Sequence, residues 1–544
     1  MGGVRAALQV RRHDVAWEYG RARKRILEFD ANAPQVRVEE YEKEYRPRIV
    51  EARARLVKAG AAAADTAPLY DLPDGEAVLV ETVQIYVRAE SYDEVRLEGD
   101  VETPRSHARA LSFLHLLYGA GDRVVGKVGA QRVDFHGARM HAVVIEPSGE
   151  AGRRERITTG LALAQEMIEL ARQAGQQIAQ DQNFPLRFRV GIDIGPCVAI
   201  NSGRSDDREP MFIGPAANHA AQLAEGNAEG IYLSDRVRQA FDLSRRTLNE
   251  EFSIAASATE LGVVEAAGGG RGIEIAAAAR LDEWVKDMRE HRATTLDPGA
   301  FQFHYHTPPL ADIDYADLSP SRSIRMPLAS IFADLDGYTK FIDRCMATGC
   351  LPDAVRLLHI LRSEFNAVFQ RDFGGRKVRF IGDCIHGVIA AGNSREVDRA
   401  ETVALATRCA GGLRSSFLVC QDTIAKANEV GLAIGYELGE TPVSRIGIRG
   451  DRSVRVASSL ATKGSELCQR DCNHVQTKIG ERAFAAATAN IRKLFDGDRK
   501  ADNLTFEDVA TAAGSEPKAT AVAPSIFAQP ARVREPEPAR AHAN

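Results

Sequence analysis

The chain has 544 residues, of which 44% are hydrophobic and 27% are charged, and its formal net charge is −5. This length suggests two or three domains, and the slightly acidic balance gives no basic surface for binding a nucleic-acid polymer. No signal-peptide core and no apolar run of about 18 residues occurs, so we expect a cytoplasmic protein without a membrane partner. The eight cysteines are scattered, and in that compartment we expect reduced thiols.

The N-terminal region, residues 1–75, is rich in charged residues. Apolar residues such as Val15, Tyr19, Tyr41 and Tyr45 recur among these charges at helical spacing. The pattern predicts two helices that pack against a larger body. A dimerisation or sensor role for these helices stays open, and so does a further homo-oligomer.

From about Glu81 onward the chain repeats itself at a nearly constant distance. Unrelated segments would not keep so steady an offset, and repeats of this kind indicate duplicated structural units. We therefore predict two similar domains, residues 76–255 and residues 326–495. Three pairs of matching residues, separated by 244 or 245 positions, mark the repeat: His115 and His359, Gly137 and Gly382, and Gly191 and Gly435.

A connector, residues 256–325, joins the two repeats. Within it, Ala276–Arg292 has the spacing of an amphipathic helix. His304 and His306 alternate with aromatic residues, which is more typical of a strand edge than of a metal site. After the second repeat, residues 496–544 form a tail rich in Ala, Pro and charge toward its end, and we expect this tail to be largely disordered.

The start of the second repeat places two carboxylates at neighbouring turns. A strand predicted over Pro327–Ala333 ends at Asp334. Further on, strands over 376–381 and 384–391 form a hairpin with Asp383 at its tip. Asp is common in turns, but two carboxylates beside a loop of free backbone amides are also what two-metal chemistry on a nucleotide requires.

The segment Phe332–Thr339, together with Phe380–Asp383, resembles the motif of class III nucleotide cyclases. The resemblance implies an α+β fold with a ferredoxin-like βαββαβ core in each repeat. It also implies a site for two Mn²⁺ or Mg²⁺ ions, with Asp334, Asp383 and Leu335 as the metal ligands. The segment that would hold the substrate phosphates comprises Leu335, Asp336, Gly337, Tyr338 and Thr339.

The two repeats differ at the metal-binding positions. Arg88 and Ala138 of the first repeat stand where Asp334 and Asp383 stand in the second. Neither residue can bind a divalent ion, and Arg88 would repel one. Class III cyclases build each site between two catalytic domains, so the resemblance implies an internal pseudo-dimer with one active site and one vestigial site, the latter also containing Arg455.

The first repeat keeps a second part of the family motif, Gly214–Leu223. In the corresponding segment of class III cyclases, an Asn orients the ribose and an Arg four residues later stabilises the transition state. Asn218 matches the Asn, whereas Gln222 replaces the Arg. This loss should reduce the rate unless another cation takes over, and the candidates are Arg204, Arg208 and Arg236.

Two positions of the first repeat bear on the nucleobase. The Lys and Asp that read adenine in family adenylate cyclases are replaced here by Asp134 and Met211. A carboxylate only accepts hydrogen bonds, so Asp134 suits the N3–H of uracil or an amino group of cytosine or guanine, and it has no proton for adenine N1. This feature resembles the pyrimidine cyclases of bacterial anti-phage (Pycsar) systems.

The resemblance therefore implies an enzyme that converts a nucleoside triphosphate, UTP before CTP, into a cyclic nucleotide and pyrophosphate. The product would act as a second messenger in anti-phage defence, through a separate downstream effector. Two alternatives stay open: an adenylate or guanylate cyclase, and a catalytically weak nucleotide-binding sensor.

Overall fold

The computed structural model describes residues 16–58, 69, 72–73, 75–90, 92–178, 187–202, 209–267, 282–283, 286, 301–448 and 453–514. Each predicted repeat forms its own β-sheet with its own helices. The predicted α+β architecture with two copies in tandem is confirmed.

An N-terminal segment, residues 16–58, precedes the first repeat. It contains α1 (Tyr19–Asn32), β1 (Arg37–Glu40), a π-helical turn (Tyr41–Tyr45) and α2 (Arg46–Lys58). The sequence did not predict β1, because its Arg-Val-Glu-Glu composition lacks the apolar alternation of a strand. The strand pairs in parallel with the first strand of the first repeat, and its buried Glu39 is neutralised by Arg48 at 2.8 Å.

Helix α1 lies against the second repeat rather than the first. The buried guanidinium of Arg25 pairs with Glu364 at 2.5 Å and with Asp372 at 2.8 Å. The indole nitrogen of Trp17 donates to the hydroxyl oxygen of Ser416 at 2.8 Å. Because β1 belongs to the sheet of the first repeat, the N-terminal segment connects both copies.

The first repeat is built on a sheet with the order β3-β4-β2-β5-β6, with β1 beside β2 and β7 beside β5. The long strands β2 and β5 pair antiparallel at its centre. The elements are β2 (Glu76–Ala89), α3 (Tyr92–Val95), α4 (Pro104–Lys127), β3 (Gln131–His136), β4 (Arg139–Val144), α5 (Arg153–Ile178), β5 (Phe188–Ser202), β6 (Glu209–Ile213), α6 (Pro215–Leu223), β7 (Gly230–Leu233), α7 (Asp235–Ala240), α8 (Leu248–Ser253) and α9 (Ala258–Ala267).

The second repeat forms a sheet of similar topology, in the order β10-β11-β9-β12-β14-β15, with β13 beside β12 and β8 beside β9. Its first long strand ends at Asp334, as predicted, and the β10–β11 hairpin turns at Gly382 and Asp383. The elements are β8 (Phe303–His304), β9 (Ser323–Asp334), α10 (Tyr338–Thr348), α11 (Leu351–Ala367), a π-helical turn (Val368–Asp372), β10 (Arg376–Ile381), β11 (Cys384–Ile389), α12 (Arg399–Thr423), β12 (Ala433–Ile446), β13 (Val454–Ala457), α13 (Leu460–Arg470), β14 (Gln476–Ile479), α14 (Glu481–Ala486), α15 (Ala489–Arg492), β15 (Lys500–Asp502) and α16 (Phe506–Gly514).

The strand registers confirm the equivalence of the two repeats residue by residue. Val87 of β2 faces Met140 of β4, and Ala333 of β9 faces Ile385 of β11 in the same way. Arg88 and Asp334, the next residues, therefore occupy equivalent positions.

Gly191 and Gly435, which are equivalent in the two repeats, lie where a side chain would not fit. A Cβ on Gly191 would lie 2.1 Å from the carbonyl oxygen of Ala220, and one on Gly435 would lie 2.1 Å from the amide nitrogen of Gln469. In each repeat a helix, α6 or α13, crosses the central strand too closely for a side chain.

The predicted domain boundaries need correction at both ends of the repeats. Helix α9 packs on α5 and buries Val264 in the core of the first repeat, so this copy extends beyond residue 255. Residues 496–514 belong to the second copy, because β15 pairs with β14 and α16 packs on α12. Their apolar residues are too few for the composition to reveal this packing. The rest of the predicted tail, residues 515–544, lies outside the described residues.

Two further expectations concern the connector and the cysteines. His304 lies in the short strand β8 beside β9, which confirms the strand-edge interpretation. Of the helix predicted over Ala276–Arg292, the structure describes residues 282–283 and 286, which are helical.

The expectation of fully reduced thiols is wrong in one place, since Cys345 and Cys350 form a disulfide where the chain turns from α10 to α11. None of the described helices is long and apolar enough to cross a membrane.

Candidate active site between the two repeats

A cleft of about 870 Å³ lies between the two sheets. The second repeat contributes the end of β9, the loop to α10 and the β10–β11 hairpin, and the first contributes β2, β3, β4, β6 and α6. Every site residue predicted from the sequence except Gln222 lines this cleft: Asp134, Met211, Asn218, Asp334, Leu335, Asp336, Gly337, Tyr338, Thr339 and Asp383.

Asp334 and Asp383 form a pair of partly buried carboxylates at one end of the cleft. The pKa of Asp334 is raised to about 6, mainly by burial and to a smaller extent by the negative charge of Asp336. Burial, and then the charge of Asp334, raises the pKa of Asp383 well above its ordinary value. Both shifts arise because the charged forms are desolvated and repel one another. A cation placed between them would remove this cost.

The donor set fits a hard divalent ion that also binds a substrate. Among the described residues, no group of three or more His, Cys, Asp or Glu side chains is arranged to hold a metal ion. Mg²⁺ is commonly bound through one or two carboxylates together with substrate phosphates. Asp334 and Asp383, with the backbone carbonyl of Leu335, would supply a set of that kind.

The loop between β9 and α10 lines the cleft from Leu335 to Thr339. Gly337 has a φ of 81°, in the region that strains residues with a side chain. The next residue, Tyr338, is buried, and its hydroxyl donates to the carbonyl oxygen of Ala354 at 2.9 Å, which fixes the first turn of α10. The amides of a helix N-terminus are a favourable environment for phosphate.

Asn218 of the first repeat meets this loop of the second repeat. Its side-chain amide nitrogen donates to the hydroxyl oxygen of Thr339 at 2.9 Å. The segment that resembles the ribose-binding motif therefore lies next to the segment that resembles the phosphate loop, although the two are separated by 121 residues in sequence. This is the arrangement expected of a site shared between two copies.

Gln222, in contrast, does not reach the cleft. Its side chain is exposed on α6, whereas Ala221, Ala224 and Glu225 of the same region line the cavity. Of the three cations proposed to compensate for the missing Arg, Arg204 and Arg208 lie outside the described residues. The third, Arg236, is engaged with Asp193 at 3.0 Å and does not line the cleft. The cations of the cleft come from other positions.

Asp134 also lines the cleft, in contact with an arginine of the other repeat. The Arg379 guanidinium donates to the Asp134 carboxylate and to the carbonyl oxygen of Phe135. Burial raises the pKa of Asp134 to about 6, although Arg379 acts in the opposite direction. Met211 of β6 is buried beside Ile213 in a cluster that includes core residues of the second repeat. It presents an apolar surface where the family has a carboxylate.

Comparisons with known proteins agree with this geometry. The chain is 42% identical over 493 residues to a uridylate cyclase of a Rhizobium species, covering 89% of this chain and 93% of the relative. It is 32% identical over 514 residues to a uridylate cyclase of Pseudomonas aeruginosa, covering 93% of each. No protein-family model matches the chain. The chain belongs to the uridylate cyclase family.

A solved structure supports the fold across the whole molecule. The crystal structure of a class III adenylyl cyclase-like ATP-binding protein from Pseudomonas aeruginosa has a TM-score of 0.80 to this chain, with 32% sequence identity. The match covers 92% of this chain and 100% of that one. The predicted class III cyclase architecture, with both copies in one chain, is confirmed.

The cleft also contains a charge network that sequence analysis missed. Glu225 of the first repeat accepts from Arg88, from Arg139 at 3.2 Å and from Arg470 of the second repeat at 2.9 Å. Glu466 pairs with Arg139 at 2.8 Å. The repeat offset could have identified the pair of Glu225 and Arg470, because these two residues occupy equivalent positions in the two copies. Equivalent residues that lie near the two-fold axis of a pseudo-dimer contact each other.

The repulsion between the two carboxylates gives a prediction about thermal stability. Without metal, Asp383→Asn should raise the melting temperature by about 1–3 °C, because it removes one of two desolvated like charges. Added Mn²⁺ should stabilise the wild type and have little effect on the variant. Differential scanning fluorimetry measures both shifts.

Asp422→Asn, an exposed carboxylate at the end of α12, is the matched control and should keep the Mn²⁺ response. An equal Mn²⁺ response in wild type and Asp383→Asn would show that the ion binds elsewhere.

Proposed function

We propose that this protein converts UTP into cyclic 3′,5′-UMP and pyrophosphate. The observation that carries the proposal is the hydrogen bond between Asn218 and Thr339, because it joins the two halves of one composite site. The identity of the chain to two uridylate cyclases, at 42% and 32%, supports the same activity.

In this reaction the 3′-hydroxyl of UTP gives its proton to water and its oxygen attacks the α-phosphorus, while the bond between that phosphorus and the oxygen bridging to the β-phosphate breaks and pyrophosphate leaves. Asn218 would orient the ribose, and the backbone amides of Leu335–Thr339 would bind the β- and γ-phosphates. Asp334, Asp383 and the carbonyl of Leu335 would hold two Mn²⁺ or Mg²⁺ ions, which lower the pKa of the 3′-hydroxyl and offset the phosphate charge.

The base preference rests on Asp134. Its carboxylate would accept the N3–H of uracil, whereas the N3 of cytosine and the N1 of adenine are themselves acceptors. Met211 adds apolar surface at the position where an adenylate cyclase has a second polar group. Both features support UTP as the substrate.

The proposal predicts the outcome of incubating the purified protein separately with ATP, GTP, CTP and UTP in the presence of Mn²⁺. We expect cyclic UMP from UTP, identified by mass. Asp334→Asn should abolish the product, and Asp422→Asn should leave it unchanged. Cyclic AMP or cyclic GMP alone would retain the cyclase and refute the base assignment. UTP binding without any product would favour a nucleotide sensor.

A second prediction concerns the pH dependence of substrate choice. Because burial raises the pKa of Asp134 to about 6, acidification should protonate this carboxylate within an accessible range and turn it into a hydrogen-bond donor. Arg379 and Arg132 oppose this protonation, and Glu209 favours it. The ratio of kcat/KM for UTP to that for CTP should therefore fall by about fourfold or more from about pH 7.5 to about pH 5.5.

The ratio is informative because both substrates need the same metal-binding carboxylates, so their titration cancels. Asp134→Asn should make the ratio independent of pH. A wild-type ratio that stays constant over this range would contradict the role of Asp134.

We also propose that the cyclic nucleotide serves as a second messenger in defence against phage and acts through a separate effector protein. The support is the resemblance to the pyrimidine cyclases of anti-phage systems. Bacteria carrying the wild-type gene together with its native neighbours should accumulate cyclic UMP on infection and survive better than bacteria carrying Asp334→Asn. Equal survival of the two strains would contradict this role.

A further inference from the structure

The first repeat presents an unpartnered phenol to the cleft. Tyr86 of β2 stacks on His141 with ring centroids 4.0 Å apart and an interplanar angle of 15°. Its hydroxyl makes no hydrogen bond to any described residue, although the side chain lines the cavity. A phenol in a cleft of this kind normally finds a partner when the site is filled.

Tyr86 and Asp134 lie on either side of the same imidazole. His141 of β4 is opposite Asp134 of β3 in one strand pair and opposite Tyr86 of β2 in the other. Burial, and then the charge of Asp134, raises the pKa of Tyr86 above its ordinary value. The phenol therefore keeps its proton and stays a hydrogen-bond donor near a carboxylate acceptor.

Arg379 adds a second donor from the other repeat. A guanidinium has five N–H groups, and Arg379 uses its two Nη atoms to contact Asp134 and Phe135. Its Nε is buried without a hydrogen-bond partner among the described residues, whereas each Nη atom has a second N–H beyond these two contacts, and the side chain lines the cleft. Arg379 is also the equivalent of Asp134 in the second repeat, since it faces His386 as Asp134 faces His141.

We propose that Arg379 and Tyr86 flank the Asp134 carboxylate to form a donor–acceptor–donor set that recognises the edge of uracil. This inference rests on the proposed function and adds two specificity-determining residues to it. Uracil offers an acceptor at O4, a donor at N3 and an acceptor at O2, which complements the set at all three positions.

The same set discriminates against the other bases. Cytosine has a donor at N4 and an acceptor at N3, so two of its three groups would face a like group and remain unpaired. A site built to hydrogen-bond a substrate strongly rejects an analogue that leaves its polar groups unpaired. Guanine matches at O6 and N1, and the Tyr86 hydroxyl oxygen is able to accept from its amino group, so GTP is the most informative competitor.

The second repeat has the same ring stacking without a hydroxyl. Phe332, at the equivalent position, stacks on His386 with ring centroids 4.3 Å apart and the same interplanar angle of 15°. An aromatic ring alone therefore satisfies the packing at this site of the sheet. The hydroxyl occurs only in the repeat that carries Asp134.

The test uses Tyr86→Phe, which removes the hydroxyl and retains the ring. We expect kcat/KM for UTP to fall about tenfold, the typical effect of one lost hydrogen bond to a substrate. The enzyme is then assayed with 2-thio-UTP and 4-thio-UTP, in which sulfur weakens one acceptor at a time. Wild type should be slowed by both changes, and Tyr86→Phe should be insensitive to one of them.

Arg379→Lys should show the complementary result, because a lysine keeps the charge beside Asp134 and loses the planar array of donors. We expect it to be insensitive to the other thio substitution. Tyr305→Phe is the matched control, since its hydroxyl donates to the Asn393 carbonyl at 2.7 Å outside the cleft, and it should behave as wild type. Thermal unfolding checks that each variant is folded.

The outcomes separate this inference from the proposed function. Wild type that produces no cyclic UMP would overturn the proposed function. Two results would overturn only the assignment of Tyr86 and Arg379, provided that wild type produces cyclic UMP. In the first, the Tyr86→Phe enzyme is still slowed by both thio substitutions. In the second, it loses activity equally with UTP, CTP and GTP.

Discussion

The repulsion between Asp334 and Asp383 is the constraint on which the rest of the site depends. Each carboxylate is partly buried, and a neighbouring negative charge adds to the cost of ionising it, Asp336 in the case of Asp334 and Asp334 in the case of Asp383, so the pair is stable as two anions only when positive charge is brought to it. A protein that keeps such a pair sacrifices stability for binding. The hydrogen bond between Asn218 and Thr339 then brings a helix of the first repeat into the cleft that these two carboxylates line.

The tandem arrangement explains how the two halves came to differ. In a homodimer every substitution appears on both sides of the two-fold axis, so a loss of the metal ligands would destroy both sites. Here Arg88 replaces one carboxylate in the first repeat and pairs with Glu225. At the equivalent positions of the second repeat are Asp334 and Arg470, so the two copies carry opposite charges. Arg470 and Glu225 pair across the interface at 2.9 Å, so the charge substitutions in the two copies attach one repeat to the other.

The N-terminal segment contributes to the same alignment. A buried ion pair that loses one partner is strongly destabilised, so Arg25, held by Glu364 and Asp372, anchors α1 firmly on the second repeat. A few residues later, β1 extends the sheet of the first repeat. One covalent segment is thus attached to both copies. This gives the N-terminal segment a structural role in holding the two repeats together.

The site residues that could be predicted from the sequence differ in one physical respect from those that could not. Asp334, Asp383 and Asn218 could be assigned because each follows a local pattern, a strand end, a hairpin tip or a helix start, that the chain repeats at a constant offset. Gln222 was misplaced because the direction of a side chain on a helix depends on packing rather than on spacing. Arg379 and Tyr86 carry no local signal at all. The role proposed for them depends on two sheets, far apart in sequence, that bring a donor from each repeat toward the carboxylate of Asp134, and Phe332 at the position equivalent to Tyr86 lacks the hydroxyl on which that role rests.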